Sequence, residues 1–206
     1  MKVYDTEGFP NPARVRIALA EKGAIEQVEF VAVDVMGGQH RTAEFRAKTP
    51  DATVPYAELE NGTCISQCTA TTEYIDGTYG KPSLFGNTPE QRAKTHMMNR
   101  RAEAGLLDAV GAYFHNATPG LGPVLETNQN EAWGLQNRER AQATMAYLDG
   151  VLANQEFVAG SEFTMADITA FAGLAFADFA KVEIPASLSN LQNWRQRVAS
   201  RPSIAG

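Results

Sequence analysis

The side chains able to do chemistry are few and scattered. The chain holds two cysteines, Cys64 and Cys68, and three histidines, His40, His96 and His115. A Cys-x-x-x-Cys pair invites a metal or redox reading. Its spacing is wrong for a C-x-x-C redox motif, and no second pair is present to complete a zinc site. Cys64 is expected to be a buried strand residue. His96 and His115 fall on one predicted helix with no carboxylate or cysteine at ligand spacing, so they read as core or surface residues. Taken alone, His40 reads as a solvated loop residue. Helix starts are more informative. Asn11-Pro12 has the form of an N-cap followed by proline at the first helical position. Ser66-Gln67-Cys68 opens another helix, with Ser66 as its expected cap, and backbone N–H groups at such a start form an anion site. Thr164-Met165-Ala166-Asp167 is a capping box, which makes Asp167 a folding element rather than a catalytic carboxylate.

The elements that must hold these residues change character along the chain. Lys2–Tyr4 is a short strand candidate. The segment from Asn11 to Gly23 has apolar residues at helical spacing (Val15, Ala18, Leu19), and Gly23 stands where a left-handed C-cap belongs. Residues 28–33 (VEFVAV) are β-rich. With one helix between the two strands, a right-handed parallel βαβ unit is expected. A short helix is predicted from Thr42 to Arg46. Strands Tyr56–Leu59 and Thr63–Ile65 follow across the Asn61-Gly62 turn signal, and then a helix running through Glu73, Tyr74 and Ile75.

The stretch from Gly77 to Pro89, with three glycines and two prolines, reads as a connection. It closes on Thr88-Pro89-Glu90-Gln91, another capping box. Beyond it, residues 90–117, 131–154, 164–181 and 188–199 carry helical patterns and no strand. Asn116 to Gly122 is expected to break the first of these helices. The helix after Thr164 is apolar on most sides and belongs at a domain centre, with Phe157 and Val158 placed to pack against it. Met97, Met98, Leu106, Leu107, Tyr113 and Phe114 are expected mostly in the core. The expected domains are residues 1–78, a linker 79–88, and an all-helical domain 89–206.

Composition excludes several function classes. In 206 residues, 44% are hydrophobic and 20% charged, the balance of an ordinary globular protein. A formal net charge of −6 gives no general attraction to phosphate backbones or anionic lipid surfaces, so neither nucleic acid nor a membrane surface is an expected partner. The N-terminus lacks the apolar core of a signal peptide. No stretch approaches the roughly 20 apolar residues that span a bilayer. The scarcity of cysteine suits a reducing cytoplasm.

Four segments together resemble the cytosolic glutathione S-transferase family, in particular its bacterial theta-like and nu-like types. They are Pro10-Asn11-Pro12-Ala13-Arg14-Val15, Thr53-Val54-Pro55, Asn61 to Cys68, and Phe163-Thr164-Met165-Ala166-Asp167. The ending Trp194-Arg195-Gln196-Arg197-Val198 with Arg201-Pro202-Ser203 resembles that family's last helix. The resemblance covers nearly the whole chain. It implies an α/β thioredoxin-like domain of order β-α-β-α-β-β-α followed by an all-α domain, a homodimer, and glutathione as co-substrate without a metal.

It also assigns roles. Pro55 is expected in cis, with Thr53 beside it, and the Val54 amide and carbonyl would pair with the cysteinyl backbone of glutathione like one more strand. Gln67 and Cys68 would hold the γ-glutamyl end, and Gln39 and His40 the glycine end. Glu103, from a partner subunit, would meet the γ-glutamyl amine. Conjugation needs a donor to the glutathione sulfur that favours the thiolate. Phe9 stands where many family members have Ser or Thr. Asn11 is therefore the expected donor, ahead of Thr6 and Tyr4. The implied activity is conjugation to a small hydrophobic electrophile. A glutathione-dependent disulfide or peroxide reductase and a non-catalytic glutathione-binding module are the alternatives.

Overall fold

Strand β1 (Lys2–Asp5) pairs in parallel with β2 (Glu29–Ala32) and antiparallel with β3 (Tyr56–Glu58), which pairs antiparallel with β4 (Cys64–Ser66). The sheet order is β2-β1-β3-β4. Helix α1 (Pro10–Glu21) makes the crossover between the parallel strands, as the sequence requires. Helix α2 (Ala43–Lys48) and helix α3 (Cys68–Thr78) complete the thioredoxin-like order, and α1 packs against α3. These elements form the unit Met1–Leu84 of the computed structural model, which describes residues 1–119 and 126–205; the second unit is Phe85–Gly206.

Local sequence explains the joints of the first unit. Gly23, at φ 61°, ends α1 in the expected left-handed cap: its N–H donates to Ala20 O and the Ala24 N–H to Leu19 O. The hairpin turns through Gly62 at φ 81°, between the Leu59–Thr63 pair. Arg16 ties α1 to the sheet, with Nε 2.7 Å from Asp5 Oδ2 and its guanidinium 4.0 Å above the Phe30 ring. The Val54–Pro55 peptide is cis, as expected, and so is Lys81–Pro82.

Several expectations are corrected. Helix α1 starts earlier than predicted: Phe9 is the N-cap and Asn11 lies inside the first turn, without a side-chain cap. Pro10 and Pro12 lack N–H donors that a first turn would leave unpaired in any case, so the helix begins at the earlier proline. Ser66 does not cap α3 either. It pairs with Tyr56 as the last residue of β4, and Gln67 becomes the N-cap. Cys64 is half-exposed rather than buried because β4 is an edge strand. Gly77 belongs to α3, not to the connection after it.

The regular elements described in the second unit are all helices, with one isolated bridge between Phe157 and Gly160. They are α4 (Pro89–Ala102), a π turn (Glu103–Leu107), α5 (Asp108–Ala117), α6 (Glu131–Leu152), α7 (Met165–Phe179), α8 (Ser189–Ala199) and the short α9 (Pro202–Ala205). The capping box at Thr88 and Gln91 forms as read from the sequence. Helix α5 ends before Pro119; Gly120 to Gly122 of the expected break lie outside the described residues. Helix α7 is buried along most of its length, with Ala175, Asp178 and Phe179 exposed near its end, and packs on α4, to which Thr169 donates a 2.6 Å hydrogen bond at Asn99 Oδ1. Of the residues expected in the core, Met98, Leu106, Leu107 and Phe114 are buried, Tyr113 is half-buried and Met97 is exposed. No described helix is long and apolar enough to cross a membrane.

The π turn interrupts what the sequence presents as one helix from 90 to 117. Two glycines let neighbouring helices approach it. A Cβ at Gly105 would stand 2.5 Å from Thr144 Oγ1 on α6, and one at Gly173 would stand 2.8 Å from Leu106 Cγ. Thr144 is β-branched and stiff in a helix. Gly105→Ala is expected to destabilise the protein by about 1–3 kcal/mol, read as a lower midpoint in urea unfolding. An unchanged midpoint would show that the turn has room to spare.

Candidate functional site

The two helix starts singled out by the sequence lie side by side. Cys68, the first residue of α3, is buried, and its Sγ donates to the backbone oxygen of Asn11 at 3.4 Å and lies 3.7 Å from Asn11 Oδ1. Arg14, also buried, donates from Nη1 to the same Oδ1 at 2.9 Å. An arginine carries only donors, so the atom facing it must be the amide oxygen. The Asn11 carboxamide is thereby oriented. Its nitrogen and the Asn11 backbone N–H both remain without a partner among the described residues. Arg14 was not among the residues singled out from the sequence, although its i+3 spacing from Asn11 is a legible signal.

Helix capping sets these starts apart. Helices α2, α4, α6 and α7 all receive a side-chain cap and carry an acidic residue in the first turn. Helix α8 lacks both, but Asp149 of α6 accepts from the Leu191 N–H at 2.9 Å. Helices α1 and α3 have neither a side-chain cap nor an acidic residue in the first turn. The partial positive charge of their N-termini is left for something other than their own side chains to meet.

Gln67 sits at the start of α3 with φ 72° and ψ 120°, a conformation that non-glycine residues rarely adopt. Its side chain does not turn back to the helix. Nε2 instead donates to Asp51 Oδ2 at 2.8 Å. Asp51 follows Pro50 in a turn closed by the Ala52 N–H on Thr49 O at 3.0 Å, and Ala52 itself has φ 53°. Neither the amide nor the carbonyl of Val54 takes a hydrogen bond among the described residues; Thr53 is exposed and Pro55 buried.

The remaining expected residues are placed less directly. Gln39 is exposed, and its Oε1 accepts from the Asp34 N–H at 2.8 Å, which leaves the amide nitrogen outward. His40 is buried on the same short turn, and its Nδ1 has no partner among the described residues. Burial, then the nearby Arg41 and Arg46, push its pKa below the ordinary histidine range, so the ring is neutral at pH 7. Glu103 begins the π turn in the second unit and pairs with Arg100 at 3.5 Å. Thr6 is committed, its hydroxyl donating to Val33 O at 2.8 Å, and Tyr4 stacks on Tyr56 at 4.4 Å. His96 stacks on Phe85 and His115 meets Phe114 edge-on. Among the described residues no group of three potential ligands could hold a metal.

A thioredoxin-like unit with two uncapped helix starts and a cis-proline loop, followed in the chain by an all-helical unit, is the architecture of the glutathione S-transferase fold. Residues 1–77 match the family of glutathione S-transferase N-terminal domains, and residues 79–202 that of the C-terminal domains. The chain belongs to the glutathione S-transferase family. It is similar to glutathione S-transferase 2 of Saccharomyces cerevisiae, with 50% identity over 204 residues covering 99% of this chain and 88% of that one. Among solved structures, a glutathione S-transferase domain-containing protein of Marinobacter aquaeolei VT8 superposes with a TM-score of 0.97 at 67% identity, over 99% of this chain and 100% of the other. Gtt2 of Saccharomyces cerevisiae superposes with a TM-score of 0.96 at 50% identity, over 100% and 99% of the two chains.

Proposed function

We propose that this chain conjugates the thiolate of glutathione to small hydrophobic electrophiles, as a cytoplasmic homodimer serving detoxification. Its family membership favours conjugation over a disulfide or peroxide reductase and over a module that only binds. The observation that carries the reading at the level of chemistry is Asn11, whose carboxamide is oriented by Arg14 so that two N–H groups are left at the start of α1. Both donate to the glutathione sulfur, and with the helix dipole they favour the thiolate over the thiol. The thiol proton leaves to solvent. The thiolate then forms the new C–S bond as the electrophile's leaving group departs with its bonding electron pair, chloride in the case of an aromatic chloride.

The rest of the site positions the tripeptide. Val54 offers its amide and carbonyl to the cysteinyl backbone, with Thr53 and Pro55 shaping that edge. The N-terminus of α3 at Gln67 and Cys68 receives the γ-glutamyl carboxylate. Gln39 and His40 face the glycine end, where a neutral imidazole serves as a hydrogen-bond donor and Arg41 and Arg46 supply charge.

Calorimetry with glutathione, together with the thiolate absorbance of the bound ligand across pH, tests this reading. Bound glutathione is expected to show a thiol pKa below that of free glutathione. Asn11→Ala should raise that pKa and lower kcat towards an aromatic chloride by about 10- to 100-fold, with a smaller change in glutathione affinity. If Asn11→Ala leaves both pKa and kcat where they were, another group activates the thiol.

A further inference from the structure

Asparagine or aspartate followed by glycine is a chemically labile pair, because glycine has no side chain to keep its amide nitrogen from the neighbouring carboxamide or carboxyl carbon. The chain has three such pairs, Asn61-Gly62, Asp76-Gly77 and Asp149-Gly150. The fold disarms two of them. Asp76-Gly77 lies inside α3, and its carboxylate is held by the Lys22 ammonium, the Leu84 N–H and the Ser83 hydroxyl. Asp149-Gly150 lies inside α6, and its carboxylate accepts from the Leu191 N–H at 2.9 Å and from Asn190 Nδ2 at 3.2 Å.

Asn61-Gly62 is different. Both residues are exposed at the tip of the β3–β4 hairpin, outside any helix. Two hydrogen bonds restrain the pair. The Gly62 N–H donates to Leu59 O at 2.9 Å, which occupies the nitrogen that would attack. Asn61 Oδ1 accepts from the Thr63 N–H at 3.0 Å, which turns the carboxamide forward along the chain. The strands on either side have three residues each, and β4 is an edge of the sheet. Opening this turn is therefore a local event rather than global unfolding.

We propose that Asn61 is a site of spontaneous deamidation, gated by opening of the β3–β4 turn. In the open turn the Gly62 nitrogen bonds to Asn61 Cγ as the Cγ–Nδ2 bond breaks, and ammonia leaves with the Gly62 amide proton. Water then opens the cyclic imide at either carbonyl and leaves an aspartyl or an isoaspartyl residue. The isoaspartyl product routes the main chain through the former side chain and lengthens the turn by a methylene. That shifts the register in which Glu58 faces Cys64 and Tyr56 faces Ser66. Ser66 leads directly into Gln67 and Cys68 at the start of α3, so the modified chain loses affinity for glutathione. Only this last consequence rests on the glutathione reading above.

Incubation of the protein in mildly alkaline buffer, followed by peptide mapping with mass spectrometry, tests the assignment. Deamidation is expected at Asn61 ahead of the other asparagines, and at least about tenfold more slowly in the native protein than in urea. Modification that appears first at another asparagine overturns the assignment, and equal rates with and without urea overturn the gating. The isoaspartyl fraction, separated by ion exchange on its added negative charge, should bind glutathione at least about tenfold more weakly by calorimetry than the unmodified protein. Equal affinity overturns the register argument. Mapping needs no ligand, so an unmodified protein that fails to bind glutathione overturns the glutathione reading while the map still decides the role of Asn61.

Discussion

Replacing Asp167 by alanine is expected to cost about 3–5 kcal/mol of stability, one of the two largest effects of any single substitution considered for this chain. The carboxylate is fully buried and accepts from the Val158 N–H at 2.8 Å, the Thr164 N–H at 3.0 Å, the Thr164 hydroxyl at 3.1 Å and the Trp194 indole at 3.0 Å. One side chain therefore closes the start of α7, anchors the segment before it and fixes α8. Alanine would leave these buried donors without an acceptor and would open a void beside Trp194. Both tryptophans, Trp133 and Trp194, lie in the second unit, so tryptophan fluorescence in urea follows this loss directly. A midpoint shift worth less than about 1 kcal/mol would show that water replaces the carboxylate at little cost.

The same group makes a pH prediction. Burial pushes the Asp167 carboxyl from its ordinary 3.8 up to about 6, against the opposing pull of the four donors. The unfolded chain therefore releases this proton at lower pH than the native protein does. The proton-linked part of Asp167's contribution to stability is fully present below about pH 4 and is lost as pH rises through 6, while the hydrogen bonds to the carboxylate remain. Asp167→Asn should abolish that slope while remaining less stable than the wild type at every pH. A wild type with no such slope relative to Asp167→Asn would mean that the donors, not burial, set the pKa.

Lys22→Met is the second large expected effect, about 3–5 kcal/mol, and it falls on the first unit. The Lys22 ammonium is entirely enclosed. It donates to Asp76 Oδ1 at 2.8 Å, to Pro82 O at 2.6 Å and to Gly80 O. Asp76 in turn accepts from the Leu84 N–H at 2.7 Å and from the Ser83 hydroxyl at 3.2 Å. The ammonium thus pins residues 80–84 to α1 and α3. Methionine fills the same channel but strands the Asp76 carboxylate and two carbonyls. Adding Asp76→Asn removes the stranded charge and should recover part of the loss. The measurement is urea unfolding by circular dichroism, with hydrogen exchange of the α1 amides to assign the loss to this unit. Equal stability of the wild type and Lys22→Met would show that Lys22 fills space and nothing more.

Much of this architecture was legible because local signals and long-range order agreed. The Gly23 cap, the Asn61-Gly62 turn and the two capping boxes each name a boundary, and period changes between them name the elements. The structure departs from the sequence reading where tertiary pairing decides a boundary. Ser66 is a good cap by type, yet pairing with Tyr56 keeps it in β4. Asn11 is likewise a good cap by type, yet Pro10 starts the helix two residues sooner. The π turn left no trace in the helical pattern, and the close approaches around it, Gly105 to Thr144 and Gly173 to Leu106, join residues far apart in sequence.

The site was legible only in part, for a related reason. The resemblance pointed to Asn11, Gln67 and Cys68, but the orientation of Asn11 comes from buried Arg14 and from Cys68, which is 57 positions away. Asp51 carried no motif. Its bond with Gln67 depends on that residue, at φ 72°, reaching a turn 16 residues earlier, and backbone sign at a non-glycine position cannot be read from residue type.

The contrast between capped and uncapped helices has a consequence for how this protein behaves when empty. A helix start without a cap forfeits about 1 kcal/mol relative to one closed by its own side chain. Helices α1 and α3 both forgo that closure, so under the proposed function the first unit is a fold whose last two fastenings arrive with the guest. On the proposed reading, thiolate and carboxylate fill the roles that threonine or asparagine caps and first-turn acidic residues fill at α2, α4, α6 and α7. On that reading substrate is a structural component as well as a reactant, and glutathione concentration sets how firmly this unit is held together.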